Sequence, residues 1–260
     1  MKKLYKLINF QFGFISRLVL LECLMLIVAQ NMLLYITAGD YPADRYIPFE
    51  KLIALSGVSS VFYIGFALTL AGCVYSVLSD YSGSKGIYTL MAIPDGRSAV
   101  YFSKVIPGFI YLLMLICSQL ISILTGYMLF STPFSAVVTD GLISYSRPVN
   151  GLFLAFVRSD FLRLLFPLSA ESFSSTFLME ISLILGIFFM SYAVLARRYW
   201  QLVFPLINIM IIIFEVNKRN ASVLADMNRN LYVSSIVLFV FSVFYIYQSI
   251  RWIRSSAILG

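Results

Sequence analysis

The sequence predicts an all-α polytopic membrane bundle of six transmembrane helices, and three observations carry that prediction. Of its 260 residues, 60% are hydrophobic and only 12% are charged, about half the charge of an ordinary soluble domain. The mean hydropathy is +0.90. Six apolar runs approach or exceed the roughly 20 residues that carry a helix across the hydrocarbon core. This pattern excludes an ordinary soluble enzyme and a disordered chain. The sequence has no histidine, which removes the commonest general base and the commonest metal ligand. Cys23, Cys73 and Cys117 lie inside apolar runs and read as small buried residues, not as a disulfide framework or a metal site. Nineteen Lys and Arg against twelve Asp and Glu would suggest nucleic acid in a soluble chain. Here the positive charges sit between apolar runs, so they read as membrane topology and no nucleic-acid partner is expected.

The elements follow in chain order. Over residues 1–13, Leu4, Leu7 and Ile8 keep helical spacing beside Lys2, Lys3 and Lys6. That suits an amphipathic helix on the inner leaflet, or a basic tail that only sets topology. The spans are expected at 14–36, 52–77, 105–130, 173–196, 200–216 and 231–250. The first is too long for a signal core and reads as an uncleaved span. The fifth is the shortest and carries Pro205 and Asn208, and proline is tolerated more readily in membrane helices than in soluble ones. With both termini cytoplasmic, 11 of the 19 Lys and Arg fall on inner segments, accompanied only by Asp80 and Asp95. The remaining eight face outward with seven acids, so the basic bias favours this orientation. The whole chain, 1–260, then reads as one multi-pass transmembrane domain.

The long outer segment, 131–172, contains an apolar stretch at 151–168 interrupted by Arg158, Asp160 and Arg163. Each charge at mid-bilayer costs roughly 2.5–3.5 kcal/mol on the insertion scale. The stretch is therefore expected to be an interfacial or re-entrant helix with Leu154, Val157, Phe161, Leu164 and Leu168 on one face.

Polar residues inside the spans mark faces turned from lipid. Gly65, Thr69, Gly72 and Ser76 line one narrow face of the second span. They suit close helix packing within the chain or contact with a second copy. Ser118, Gln119 and Ser122 head a broader arc on the third span. They line a path for an amphipathic substrate, or bond to neighbouring helices. Glu22 and Glu180 lie within spans, where an ionisable residue is a functional candidate by default. Glu215 lies near an outer helix end and is expected to be interfacial. No G-x-S-x-G elbow and no G-x-x-x-x-G-K-[ST] phosphate loop occurs. The chain is thus not expected to be an enzyme, and no cofactor is expected.

Between the second and third spans, the loop at 79–98 is cytoplasmic in this orientation. Ile87, Leu90 and Met91 keep helical spacing, Pro94 stops the helix and Asp95-Gly96 turns the chain. The pattern G-x-Y-x-L-M-x-x-P-x-x-R-x-x-x-x-x-S-K is carried by Gly86, Tyr88, Leu90, Met91, Pro94, Arg97, Ser103 and Lys104. It resembles the first intracellular loop of ATP-binding-cassette exporter permeases of the second (ABC-2) type. The resemblance covers about one loop in motif and most of the chain in architecture. It implies a permease subunit in the bacterial plasma membrane, working with a second permease copy or homologue. It further implies that the loop is a coupling helix docking on separate cytoplasmic ATPase subunits. Ile87, Leu90 and Met91 would fill a groove on the ATPase while Lys85 and Arg97 met its rim, with Tyr88 and Pro94 completing the site. One departure stands out. The long outer segment follows the third span here, whereas that family commonly places its outer re-entrant helices between the fifth and sixth. Two other readings of the chain stand beside this one. One is a proton-coupled secondary transporter using Glu22 and Glu180, and the other a non-transporting membrane scaffold or sensor.

Overall fold

The computed structural model describes residues 2–40, 47–82, 97–130, 135–139, 142–146, 151–221 and 228–255. Its helices are α1 (Lys2–Gly39), α2 (Phe49–Ser56), α3 (Val58–Ser82), α4 (Arg97–Phe130), α5 (Gly151–Arg158), α6 (Asp160–Leu165), α7 (Ala170–Leu195), α8 (Val203–Ala221) and α9 (Asn228–Arg254). Six of them contain stretches long and apolar enough to cross a membrane: Ile15–Gly39, Val58–Asp80, Ser98–Phe130, Ala170–Leu195, Tyr199–Asn217 and Leu231–Arg254. The protein is a multi-pass helical membrane bundle, as its hydropathy predicts.

Three boundaries differ from expectation. Residues 2–13 are the first turns of α1 and form no separate element, because nothing between Lys6 and Phe14 breaks a helix. The second run is divided at Gly57, which takes a left-handed conformation with φ 72°. Glycine enters that region without steric cost, so it ends α2 and starts α3 in a new direction. The third helix begins at Arg97, eight residues before its apolar run.

The segment between α4 and α5 carries a two-stranded hairpin. β1 (Ser135–Thr139) pairs antiparallel with β2 (Leu142–Ser146), in register from Ser135↔Ser146 to Thr139↔Leu142. Its signal in the sequence is the dipeptide Asp140-Gly141 between two runs of strand formers. The stretch at 151–168 contributes no candidate span, and it is two short helices instead of one. The Ser159 side chain accepts a hydrogen bond from the Leu162 backbone N–H and caps α6, so the helical register restarts there. Val157 is 37% and Leu168 60% exposed, while Ala155 and Leu162 are fully buried.

The chain divides into two compact units. Unit 1 comprises Met1–Val19, Ala67–Leu113 and Ser169–Gly260, and unit 2 comprises Leu20–Phe66 and Met114–Leu168. Helices α1, α3 and α4 each contribute to both. In unit 2, Leu34 and Ile123 pack with Phe49, Leu52 and Ile53 of α2, and with Ala155 and Leu162 of α5 and α6. The short helices thus bury their apolar sides on α1 and α4.

Unit 1 is built around α7 and α9. Phe189 stacks against Trp252 at 5.0 Å and lies 4.9 Å from Tyr245, centroid to centroid. Aromatic pairs at this spacing add to plain area burial. Asn208 Nδ2 donates to the Ser182 carbonyl at 3.2 Å, and Arg219 Nη1 donates to Thr176 Oγ1 at 2.7 Å. Position rises along α7 as it falls along α8, so the two helices run antiparallel. The reversal between them uses Arg197, at φ 54°, and a 3₁₀ turn over Tyr199–Leu202.

Candidate functional site

In unit 1 three helix ends meet at one buried cation. Lys104 is 2% exposed, and its Nζ lies 2.7 Å from Asp80 Oδ2. It also donates to the Ser76 carbonyl. Ser76 and Asp80 are one turn apart on α3, so a single ammonium reaches both. Gln11 Nε2 of α1 donates to the same Asp80 oxygen at 3.5 Å. Two turns along α4, Tyr111 donates through its hydroxyl to the Phe12 carbonyl at 2.8 Å and stacks on the Phe12 ring. A lysine withdrawn from water is tolerable only when its charge is paired and its donors are used, and Asp80 with Ser76 meets that need.

Among the coupling residues expected from the loop, Lys85, Ile87, Tyr88, Leu90, Met91 and Pro94 lie outside the described residues. Arg97 opens α4. Ser103 and Lys104, which close the motif, are both buried.

The small-residue stripe on α3 is covered from within the chain. In unit 2, a Cβ built on Gly65 would lie 3.3 Å from Leu26, 3.5 Å from Glu22 Oε1 and 3.6 Å from Leu115. In unit 1, the nearest side chain to Gly72 is Ile15, at 3.9 Å. Thr69 is buried, and Ser76 donates to the Cys73 carbonyl. The arc on α4 is a polar seam of unit 2. Gln30 Nε2 donates to Gln119 Oε1 at 2.6 Å and to the Val58 carbonyl at 3.2 Å. Asn31 Nδ2 donates to Thr125 at 3.2 Å and to Ser122 at 3.5 Å. Ser118 returns its proton to the Leu115 carbonyl. The polar groups of Gln119 and Ser122 thus join helices. Sequence reasoning missed the partners Gln30 and Asn31, although two adjacent carboxamides inside the first apolar run were a visible signal. Beside this seam lies an open surface groove of about 430 Å³ lined by Ile27, Met32, Tyr35 and Leu129, with Asn31 and Thr125 as its polar members.

The two acidic candidates fall in different units, Glu22 in unit 2 and Glu180 in unit 1. Glu180 lies one turn from Thr176 on α7, and Glu215 one turn from Arg219 on α8. Glu215 lies near the end of the candidate span Tyr199–Asn217 and is only 5% exposed. The Arg219–Thr176 bond joins that end of α8 to α7. Burial pulls the Arg219 guanidinium below its ordinary pKa, with the charge of Glu215 acting against that shift. Among the described residues, no three His, Cys, Asp or Glu side chains gather as metal ligands.

Comparison of the chain with protein families, curated proteins and solved structures returned no match.

Proposed function

We propose that this chain is the membrane-spanning permease subunit of an ATP-binding-cassette exporter of the second type. The observation that carries the reading is the seating of the motif's last residue. Lys104 is buried and paired with Asp80, so the two helices that bear the loop are joined at its base. Six candidate spans match the architecture the resemblance implies. In this reading, cytoplasmic ATPase subunits dock on the loop around Ile87–Pro94, and their ATP-driven closure displaces the attached helices as rigid bodies. Two permease copies, identical or homologous, form the outward path. The cargo is hydrophobic or amphipathic: a peptide, an antimicrobial compound, a lipid or a related molecule.

The charge distribution of unit 1 supports cytoplasmic termini in the bacterial plasma membrane. Tyr101 lies 5.9 Å from Tyr192, and Trp252 5.0 Å from Phe189, so these helix ends share one end of the unit. Arg197, Arg198, Arg251 and Arg254 are exposed there. A basic end of this kind faces the cytoplasm. A single cysteine introduced at Ser84 is accordingly expected to react with impermeant maleimide only after the cells are opened. Labelling of intact cells would reverse the orientation.

Replacing both Leu90 and Met91 with Asp is expected to leave membrane insertion intact and abolish copurification with the ATPase subunit. Undiminished copurification would remove the coupling role of the loop. One observation, the burial of Glu215 in the unit that also holds Glu180, favours proton-coupled transport as a second reading. That reading requires no ATPase, so the wild-type pull-down separates the two.

A further inference from the structure

We infer that Lys104, Asp80 and Gln11 are positioning residues that fasten the ends of α1, α3 and α4 into one body, so that a displacement entering at the loop base reaches all three helices. The inference rests on the exporter reading for the source of that displacement. The fastening itself rests on geometry alone.

Asp80 lies in the last turn of α3 and Lys104 in the second turn of α4. Helix ends fray, since their terminal backbone groups lack intrahelical partners. A push delivered to two frayed ends is absorbed by local unwinding. Here the Lys104 ammonium holds the Asp80 carboxylate at 2.7 Å and the Ser76 carbonyl together. Sliding α3 along α4 breaks both charge-assisted bonds at once and leaves the ammonium without compensation.

The same Asp80 oxygen accepts from Gln11, which brings in α1. A second bond, Tyr111 to the Phe12 carbonyl at 2.8 Å, lies two turns along α4. Both bonds hold α1 at neighbouring residues, Gln11 and Phe12, so that one point of α1 is tied to α3 and to α4. Ordinary apolar packing would hold the helices together too. It is non-directional, so it tolerates sliding that these bonds resist.

The decisive variant is the double substitution Asp80→Asn with Lys104→Met. It removes the clamp without leaving a buried orphan charge, because both ionic partners go together. Its thermal melting in lipid nanodiscs should therefore lie close to wild type. Amide exchange over residues 5–12, 74–82 and 97–104 should nonetheless quicken about tenfold, as local opening becomes easier. In the complex with its ATPase, ATP hydrolysis should persist while transport per ATP falls about tenfold.

A merely structural pair would behave otherwise, with stability and coupling recovering together in the double variant. Exchange at the wild-type rate, or undiminished transport per ATP, would overturn the inference. Should the wild-type protein recruit no ATPase, the exporter reading falls, and the exchange measurement alone decides whether the three ends are fastened.

Discussion

Lys104→Met lowers the stability of the bundle by about 3–5 kcal/mol, the expected cost of breaking a buried ion pair from one side. The Lys104 side chain is 1% exposed and that of Asp80 21%, so the carboxylate left behind stays largely withdrawn from water. Its remaining described partner is the amide of Gln11, at 3.5 Å. Partial access of water to Asp80 places the effect toward the lower end of that range. Asp80→Asn strands the ammonium instead, deeper than the carboxylate, and should cost at least as much. Reversible unfolding in bicelles measures both. A loss of less than about 1 kcal/mol for Lys104→Met would mean that the pair behaves as a surface salt bridge.

Gly108→Val is the second large effect. A Cβ at position 108 would sit 2.9 Å from Phe188 Cε2, 3.2 Å from Phe188 Cζ and 3.4 Å from Cys73 Sγ. Phe188 is fully buried, and a rigid ring in a close-packed interior has no free volume to retreat into. Overpacking of this kind costs about 1–3 kcal/mol, and valine adds two further methyls beyond the Cβ. Gly72→Ala is the matched control. Its nearest neighbour is Ile15 Cγ2 at 3.9 Å, an ordinary contact, and alanine is the better helix former by roughly 0.8–1.0 kcal/mol. The melting temperature should fall for Gly108→Val and hold or rise for Gly72→Ala. Equal responses would show that the α4–α7 contact is looser than these distances imply.

These two glycines show where sequence reasoning stops. Gly72 stood out because it recurs at helical spacing with Gly65, Thr69 and Ser76, yet it has room to spare. Gly108 belongs to no stripe and is the tighter of the two. A periodic pattern reports which residues share a face. How near the facing helix comes is a property of the pair.

The six-span bundle was legible in advance because spanning is a local requirement. Each run needs enough apolar length to cover its own backbone hydrogen bonds across the bilayer, and that length is a sum over consecutive residues. For the same reason the charged stretch at 151–168 was recognised as no span. Its division was missed because Ser159 reads as one more polar residue until its side chain is seen capping Leu162.

Only the tertiary structure showed what the polar residues inside the spans are for. Asp80 finds Lys104 and Gln11, Gln119 finds Gln30, and Arg219 finds Thr176. The partners in each of the bonds to Gln11, Gln30 and Arg219 lie tens of residues apart and on different helices. A polar atom in a membrane must be satisfied, but any nearby helix can satisfy it. Which helix does so depends on how the rods are rotated and paired, and no local property of the chain carries that choice.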